Sequence, residues 1–257
     1  MPRHEVDTGY RYNDRMPHFS PSQQRSLDVL TRDLEEIFGP RLQSLVVYAG
    51  HQADGSVHSC ALVDGLGFRD LVSCLPLTEN WHHRGIAVPL MLSADELRRT
   101  IDIFPLEYSS IIADYKVVRG ADPFKGVSVP VEDIRRATEA QAKSHLIHLR
   151  EAFLESHGET TRIAQLIAAS AAPLRALLTN IARLPDKAHG PLDGSGQTDE
   201  ALSKMAETRL GVPAKLVRDV LASSAGGHSA IVDPSHLLAN YIDAAQKIWE
   251  YVDRWRS

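Results

Sequence analysis

The chain has 257 residues, 43% hydrophobic and 24% charged, with a formal net charge of −5, the composition of a globular protein able to bury one large core or two smaller ones. Up to residue 127 there are 13 basic against 17 acidic side chains, and beyond it 15 against 16, so neither half has the broad basic footprint of a nucleic-acid binder. No apolar run reaches the length of a membrane-spanning helix, and Met1 to Phe19 has no apolar core of a secretory signal. A cytoplasmic protein is expected, with residues 1–19 as a flexible extension.

The first element starts at Ser20. Ser20-Pro21-Ser22-Gln23 sets a hydroxyl at the N-cap, proline at the first helical position and an amide two residues later, a capping box. Leu27, Leu30, Leu34, Ile37 and Phe38 come at spacings of three and four and mark one buried face. Gly39-Pro40 closes the helix. Leu42 to Gly50, centred on Leu45-Val46-Val47-Tyr48, reads as a strand, and Val57 to Val63 as a second. The short polar link between them makes an antiparallel hairpin the economical pairing. Phe68 to His83 is mostly helical and leads through Gly85 to a third strand, Ile86 to Leu92. Ser93-Ala94-Asp95-Glu96 is another capping box, opening a helix that reaches about Ile103. Tyr108-Ser109-Ser110-Ile111-Ile112 and Tyr115-Lys116-Val117-Val118 are β-rich; residues 105–118 read as one bent strand or as a strand plus a helical turn. Gly120 to Pro130 is a connector.

From Val131 the apolar period becomes 3.6. Ile134, Ala137, Leu146, Leu149 and Phe153 share one long helix that stops at Gly158. Ile163, Leu166, Ile167, Leu174, Leu177, Leu178 and Ile181 share a second, with Pro173 as a candidate kink. After a loop from Pro185 to Gly196, Thr198 caps a short helix and Pro213 starts another. Ser235 is expected to open the last, with Leu238, Tyr241, Ile242, Ala245, Ile248, Trp249, Val252 and Trp255 as its stripe. Five helices with short connections make a bundle. The expected organisation is a flexible extension at 1–19, an α/β domain at 20–127 and a helical bundle at 128–257.

Chemistry-bearing motifs are sparse. Cys60, in a strand, and Cys74, in a helix, could form one bridge, but their apolar settings favour buried free thiols in a reducing compartment. His51, His58, His82 and His83 lack metal-ligand spacing, and His82-His83 suits a helix C-terminus. His145 and His148, three apart on a helix, read as a bundle edge rather than a zinc pair. No dinucleotide-binding, P-loop or hydrolase signature is present.

The segments Tyr48-Ala49-Gly50-His51-Gln52-Ala53-Asp54-Gly55, Gly85 to Leu97, Asp102 to Tyr108 and Val117 to Pro123 resemble, in order and spacing, bacterial proteins of the nucleotidyltransferase superfamily with a polymerase-β-like fold. The resemblance spans about residues 20–155. It implies an α+β fold: a small mixed sheet with flanking helices, followed by an all-α bundle. In that family a Gly-Ser turn offers N–H groups and a hydroxyl to the triphosphate. Two carboxylates, at i and i+2 on the next strand, hold metal ions against the reacting phosphates. Here Gly50 and Gly55 keep the glycine spacing, so the resemblance implies a nucleotide site at Gly50, His51 and Gly55. His51 replaces the serine, the connecting loop is shortened, and the carboxylate positions are read as Val57 and Ser59. Glu107 alone has a claim to the third acidic position. Asp54 and Asp64 lie at opposite ends of the second strand, too far apart for one metal pair.

The expectation is a degenerate nucleotidyltransferase-like pseudo-enzyme without catalytic or metal-binding residues and without a cofactor. Its ligand would be a nucleotide or a protein partner, including a homo-oligomer, with no role for membrane or nucleic acid. Two other readings stand beside it. One is an active magnesium-dependent transferase with a displaced site; the other is an oligomeric scaffold using Trp249, Tyr251 and Trp255 as interface anchors.

Overall fold

The computed structural model describes residues 19–48, 56–185, 198–226 and 231–255. The fold is α+β, with one four-stranded mixed sheet and nine α-helices among the described residues. The chain divides into two compact units, one of Met1–Glu96 with Asp114–Lys125, the other of Leu97–Ala113 with Gly126–Ser257.

In the first unit α1 (Pro21–Phe38) opens on the expected box: Ser20 Oγ accepts the Gln23 N–H at 3.2 Å and Gln23 Oε1 accepts the Ser20 N–H at 2.9 Å. A 3-10 turn, Gly39–Arg41, leads into β1 (Leu42–Tyr48), which pairs antiparallel with β2 (His58–Val63) as expected from the short link. Helix α2 (Phe68–His83) comes next, then β3 (Leu90–Leu92), parallel to β2, and α3 (Ala94–Thr100). The third strand is shorter than the expected Ile86–Leu92. Ile86 forms only an isolated bridge to Val57, and Pro89, which has no N–H to donate, stands between that bridge and β3. Helix α3 has its capping box, with Ser93 and Glu96 bonding reciprocally, and ends at Thr100.

Strand β4 (Tyr115–Gly120) lies antiparallel on the other side of β1, giving the order β3-β2-β1-β4. A register shift falls between Leu45 and Val46. Gly120 has φ +77°, and a Cβ there would sit 2.0 Å from the Gln43 carbonyl oxygen, so only glycine fits. The core joins Leu30, Leu34 and Phe38 of α1 to Leu45, Ala61, Val63, Cys74, Trp81 and Ile86. Helices α1 and α2 are also tied by polar bonds. The Trp81 indole donates to Asp33 Oδ2 at 2.9 Å inside this core, and Ser26 Oγ donates to the Arg84 carbonyl at 3.0 Å.

In the second unit Pro105–Ala113 is a helix, α4, and not the β-rich segment expected at Tyr108–Ile112. Pro105 suits the first helical position. Tyr108 and Ile111, three apart, are both buried, a helical spacing that a run of only five residues left ambiguous. The bundle consists of α5 (Val131–Glu155), α6 (Thr160–Arg183), α7 (Asp199–Leu210), α8 (Ala214–Gly226) and α9 (Pro234–Arg254). The last helix is capped by Asp233, whose side chain accepts the His236 N–H at 3.0 Å, rather than by Ser235. Pro234 then takes the first helical position. One continuous core runs through all five helices. Trp255 is buried and donates its indole N–H to the Pro185 carbonyl at 3.1 Å, Tyr251 accepts from Arg209, and Lys143 lies 3.6 Å from the centre of the Trp249 ring. The three candidate interface anchors are thus engaged within one chain.

Replacing Asp33 with alanine leaves the Trp81 N–H buried without its acceptor. Urea unfolding followed by tryptophan fluorescence should show a loss of about 1–3 kcal/mol. Asp33→Asn, which keeps an acceptor, should lose less.

Candidate functional site

Strand β1 ends at Tyr48 and β2 begins at His58, and these two residues pair across the hairpin. On the other side of β1, Tyr48 pairs with Tyr115, the first residue of β4. This end of the sheet therefore aligns His58, Tyr48 and Tyr115 in one row. The candidate nucleotide-binding residues Gly50, His51 and Gly55 fall in the sequence between Tyr48 and Ser56 and lie outside the described residues, as does Asp54.

Strand alternation divides β2 between two faces. Val57 clusters with Leu27 and Val47, and Ala61 and Val63 pack with α1 and α2. Ser59, between them in the same alternation, is turned to this helix-covered face. It is 1% exposed, and its hydroxyl has no hydrogen-bond partner among the described residues. The positions read from the sequence as the carboxylate pair, Val57 and Ser59, thus look into the hydrophobic core. His58 and Cys60 occupy the opposite face, which they share with Tyr48. The His58 and Tyr48 rings lie 6.0 Å apart. Sequence alone could not fix this parity, because both faces of β2 read as apolar.

Burial, with a smaller contribution from Cys60, pushes the Tyr48 phenol up to about 12. Burial likewise pushes the Cys60 thiol up to about 12, so it stays protonated and is a poor nucleophile at neutral pH. Both cysteines are free and buried, as expected. Tyr115 donates to Asp122, at 2.8 Å and 3.0 Å to its two oxygens, and Asp122 also accepts the Phe124 N–H at 2.9 Å. Phe124 meets the Tyr115 ring edge-on at 5.1 Å. Burial raises the Asp114 carboxyl above its ordinary range. Sequence reading missed this Tyr115–Asp122–Phe124 knot; its one signal was an aromatic at the start of a strand followed by a Gly-Ala-Asp-Pro turn.

The remaining acids are dispersed. The Asp64 N–H bonds to the Arg41 carbonyl at 2.9 Å, beside the Leu42–Val63 pair at the far end of the hairpin. Glu107 is exposed in the first turn of α4, on a helix and not on a strand. Residues 57–63 contain no acid. Among the described residues no three His, Cys, Asp or Glu side chains gather into a metal-holding group. His145 and His148 also part company: His145 is buried with Nε2 2.7 Å from the Tyr241 hydroxyl, while His148 is exposed beside Glu151. The row at the sheet end offers two phenols and an imidazole, groups able to stack on a planar ligand and exchange neutral hydrogen bonds with it.

No protein-family model matches the chain, and no curated protein matches it. Among solved structures it is similar to a spectinomycin adenyltransferase from Enterococcus faecialis, crystallised with ATP and spectinomycin. That likeness covers 90% of this chain and 99% of the other, at 9% sequence identity and a TM-score of 0.49.

Ser59→Ala removes a buried, unpartnered hydroxyl and should raise stability in urea by about 1 kcal/mol, whereas Ser59→Asp, burying a charge in the same core, should lower it by about 3 kcal/mol or more. A further expectation concerns pH. Burial first, and the charge of His148 second, lower His145 from 6.5 to about 4, so the unfolded chain takes up a proton that the folded chain does not. Stability is full above pH 6.5 and should fall as the pH drops from 6.5 towards 4, by on the order of 3 kcal/mol. Thermal melts across that window should show the loss, and His145→Gln should flatten it.

Proposed function

We propose that the chain is a catalytically degenerate nucleotidyltransferase-like protein that binds a nucleotide without turning it over and needs no metal cofactor. One observation carries this reading. On the face of β2 that carries the Tyr48 row, the alternating positions hold His58 and Cys60, and neither parity of residues 57–63 supplies an acid. A two-magnesium phosphoryl-transfer site needs hard oxygen ligands held on a common face. An imidazole and a thiol pushed up to about 12 do not fit that requirement. The neutral aromatic row suits the base or sugar of a nucleotide, and Gly50, His51 and Gly55 are assigned to its phosphates. If a protein is the ligand instead, the same end of the sheet is the proposed contact.

Thermal unfolding of the purified protein against a panel of nucleotides tests this directly. The expected result is a stabilisation of about 2.7 kcal/mol at a hundredfold excess over Kd, equal in magnesium and in EDTA. A shift that appears only with magnesium, or magnesium-dependent transfer of labelled nucleotide to any acceptor, would overturn the proposal. No shift with any nucleotide would exclude nucleotide binding and leave the protein-binding form.

A further inference from the structure

Helices α8 and α9 both pack on α6, and between them they leave a groove of about 770 Å³. That is the size of a small-molecule site, and the space between bundle helices is where such sites occur. Ala222 on α8 and Ala244 on α9 line the groove with side chains too short to fill it. Val212, Leu216, Ile231 and Leu237 complete an apolar lining. Most of the charged groups at its edge are already engaged. Lys215 Nζ donates to Asp219 Oδ2 at 2.6 Å, and Asp233 caps α9. Asp243 and Lys247 remain, and neither has a hydrogen bond or ion pair among the described residues. An acid four residues ahead of a lysine on a helix is well placed to pair with it, yet these two stand apart.

We infer that this groove binds a short apolar peptide with free termini, its ammonium held by Asp243 and Asn240 and its carboxylate by Lys247. The inference concerns the second unit alone and is independent of the nucleotide-binding proposal. The charges select a zwitterion: one unpaired carboxylate and one unpaired ammonium line the same wall, above an apolar surface. Asn240, three residues before Asp243, donates its amide to the His236 carbonyl at 3.0 Å, which leaves its Oδ1 to accept from a bound ammonium. Spacing selects a peptide over a single amino acid. Four residues of helix rise about 6 Å, and the termini of an extended dipeptide lie roughly 7 Å apart. Asp219, Asp233 and Asp243 against Lys215 and Lys247 make the lining unsuited to a polyanion.

The test is isothermal titration calorimetry of the full chain with leucyl-leucine and with its N-acetylated, C-amidated form. Leucyl-leucine should bind saturably, and the capped form, equally apolar but uncharged, at least a hundredfold more weakly. Asp243→Asn and Lys247→Gln should each weaken leucyl-leucine at least tenfold with circular dichroism unchanged, because both side chains are exposed. Ala222→Trp, at an exposed position, fills the groove without touching either charge and should abolish binding. No saturable heat at millimolar dipeptide would overturn the inference. Equal affinity for the capped form would do so too, as would binding that the three folded variants leave intact.

Discussion

Strand β1 is covered on both faces, and the architecture of the first unit depends on that. Leu45, Val46 and Val47 are consecutive and point alternately to opposite sides of the sheet, yet all three are completely buried. Each contributes about 1.5–3 kcal/mol on burial, and a slip of one residue would exchange the two faces throughout the sheet. The register against β2 and the shifted register against β4 are therefore pinned by the least exposed residues of the unit. Gly120 ends β4 where nothing larger fits, and the Asp33–Trp81 bond fixes the two helices lying over one face.

This covering restricts where chemistry can happen. Ser59, Cys60, Ala61, Leu62 and Val63 are all buried, so a charge anywhere along the interior of β2 would be desolvated at high cost. At one end of the sheet, where they align, His58, Tyr48 and Tyr115 are half-buried polar groups. The same constraint accounts for the absence of acids from residues 57–63. Apolar, imidazole and thiol side chains at these positions are compatible with a dry sheet, and unpaired acids are not.

Much of this fold is legible in the sequence because local signals agree with one another. The capping boxes at Ser20 and Ser93, the Leu45–Tyr48 strand with its short link to Cys60–Val63, and the 3.6-residue period after Val131 each have a residue-level cause. Three things are not legible. Tyr108–Ile112 is too short and too uniformly apolar for its period to separate strand from helix, and Pro105, which suits a helix start, outweighs its β-rich composition. At the last helix Ser235 competes as a cap with Asp233, which precedes a proline; Asp233 wins because a proline fits the first helical position directly after an N-cap. The parity of β2 depends on which face α1 and α2 cover, a tertiary fact, so Val57 and Ser59 read as the metal-facing pair although they face the core. Gly50, His51 and Gly55 rest on the spacing of the glycines alone.

The proposed function rests on a hairpin whose second strand offers no oxygen ligands for a metal pair. The most direct measurement is an electron paramagnetic resonance titration of manganese into the purified protein, with and without a nucleotide. Manganese takes the same oxygen ligands as magnesium and reports its bound fraction directly. The account predicts that the free-manganese signal matches that of a buffer or nucleotide control lacking the protein. Loss of that signal at one or two ions per chain, abolished by Asp54→Asn, would contradict it.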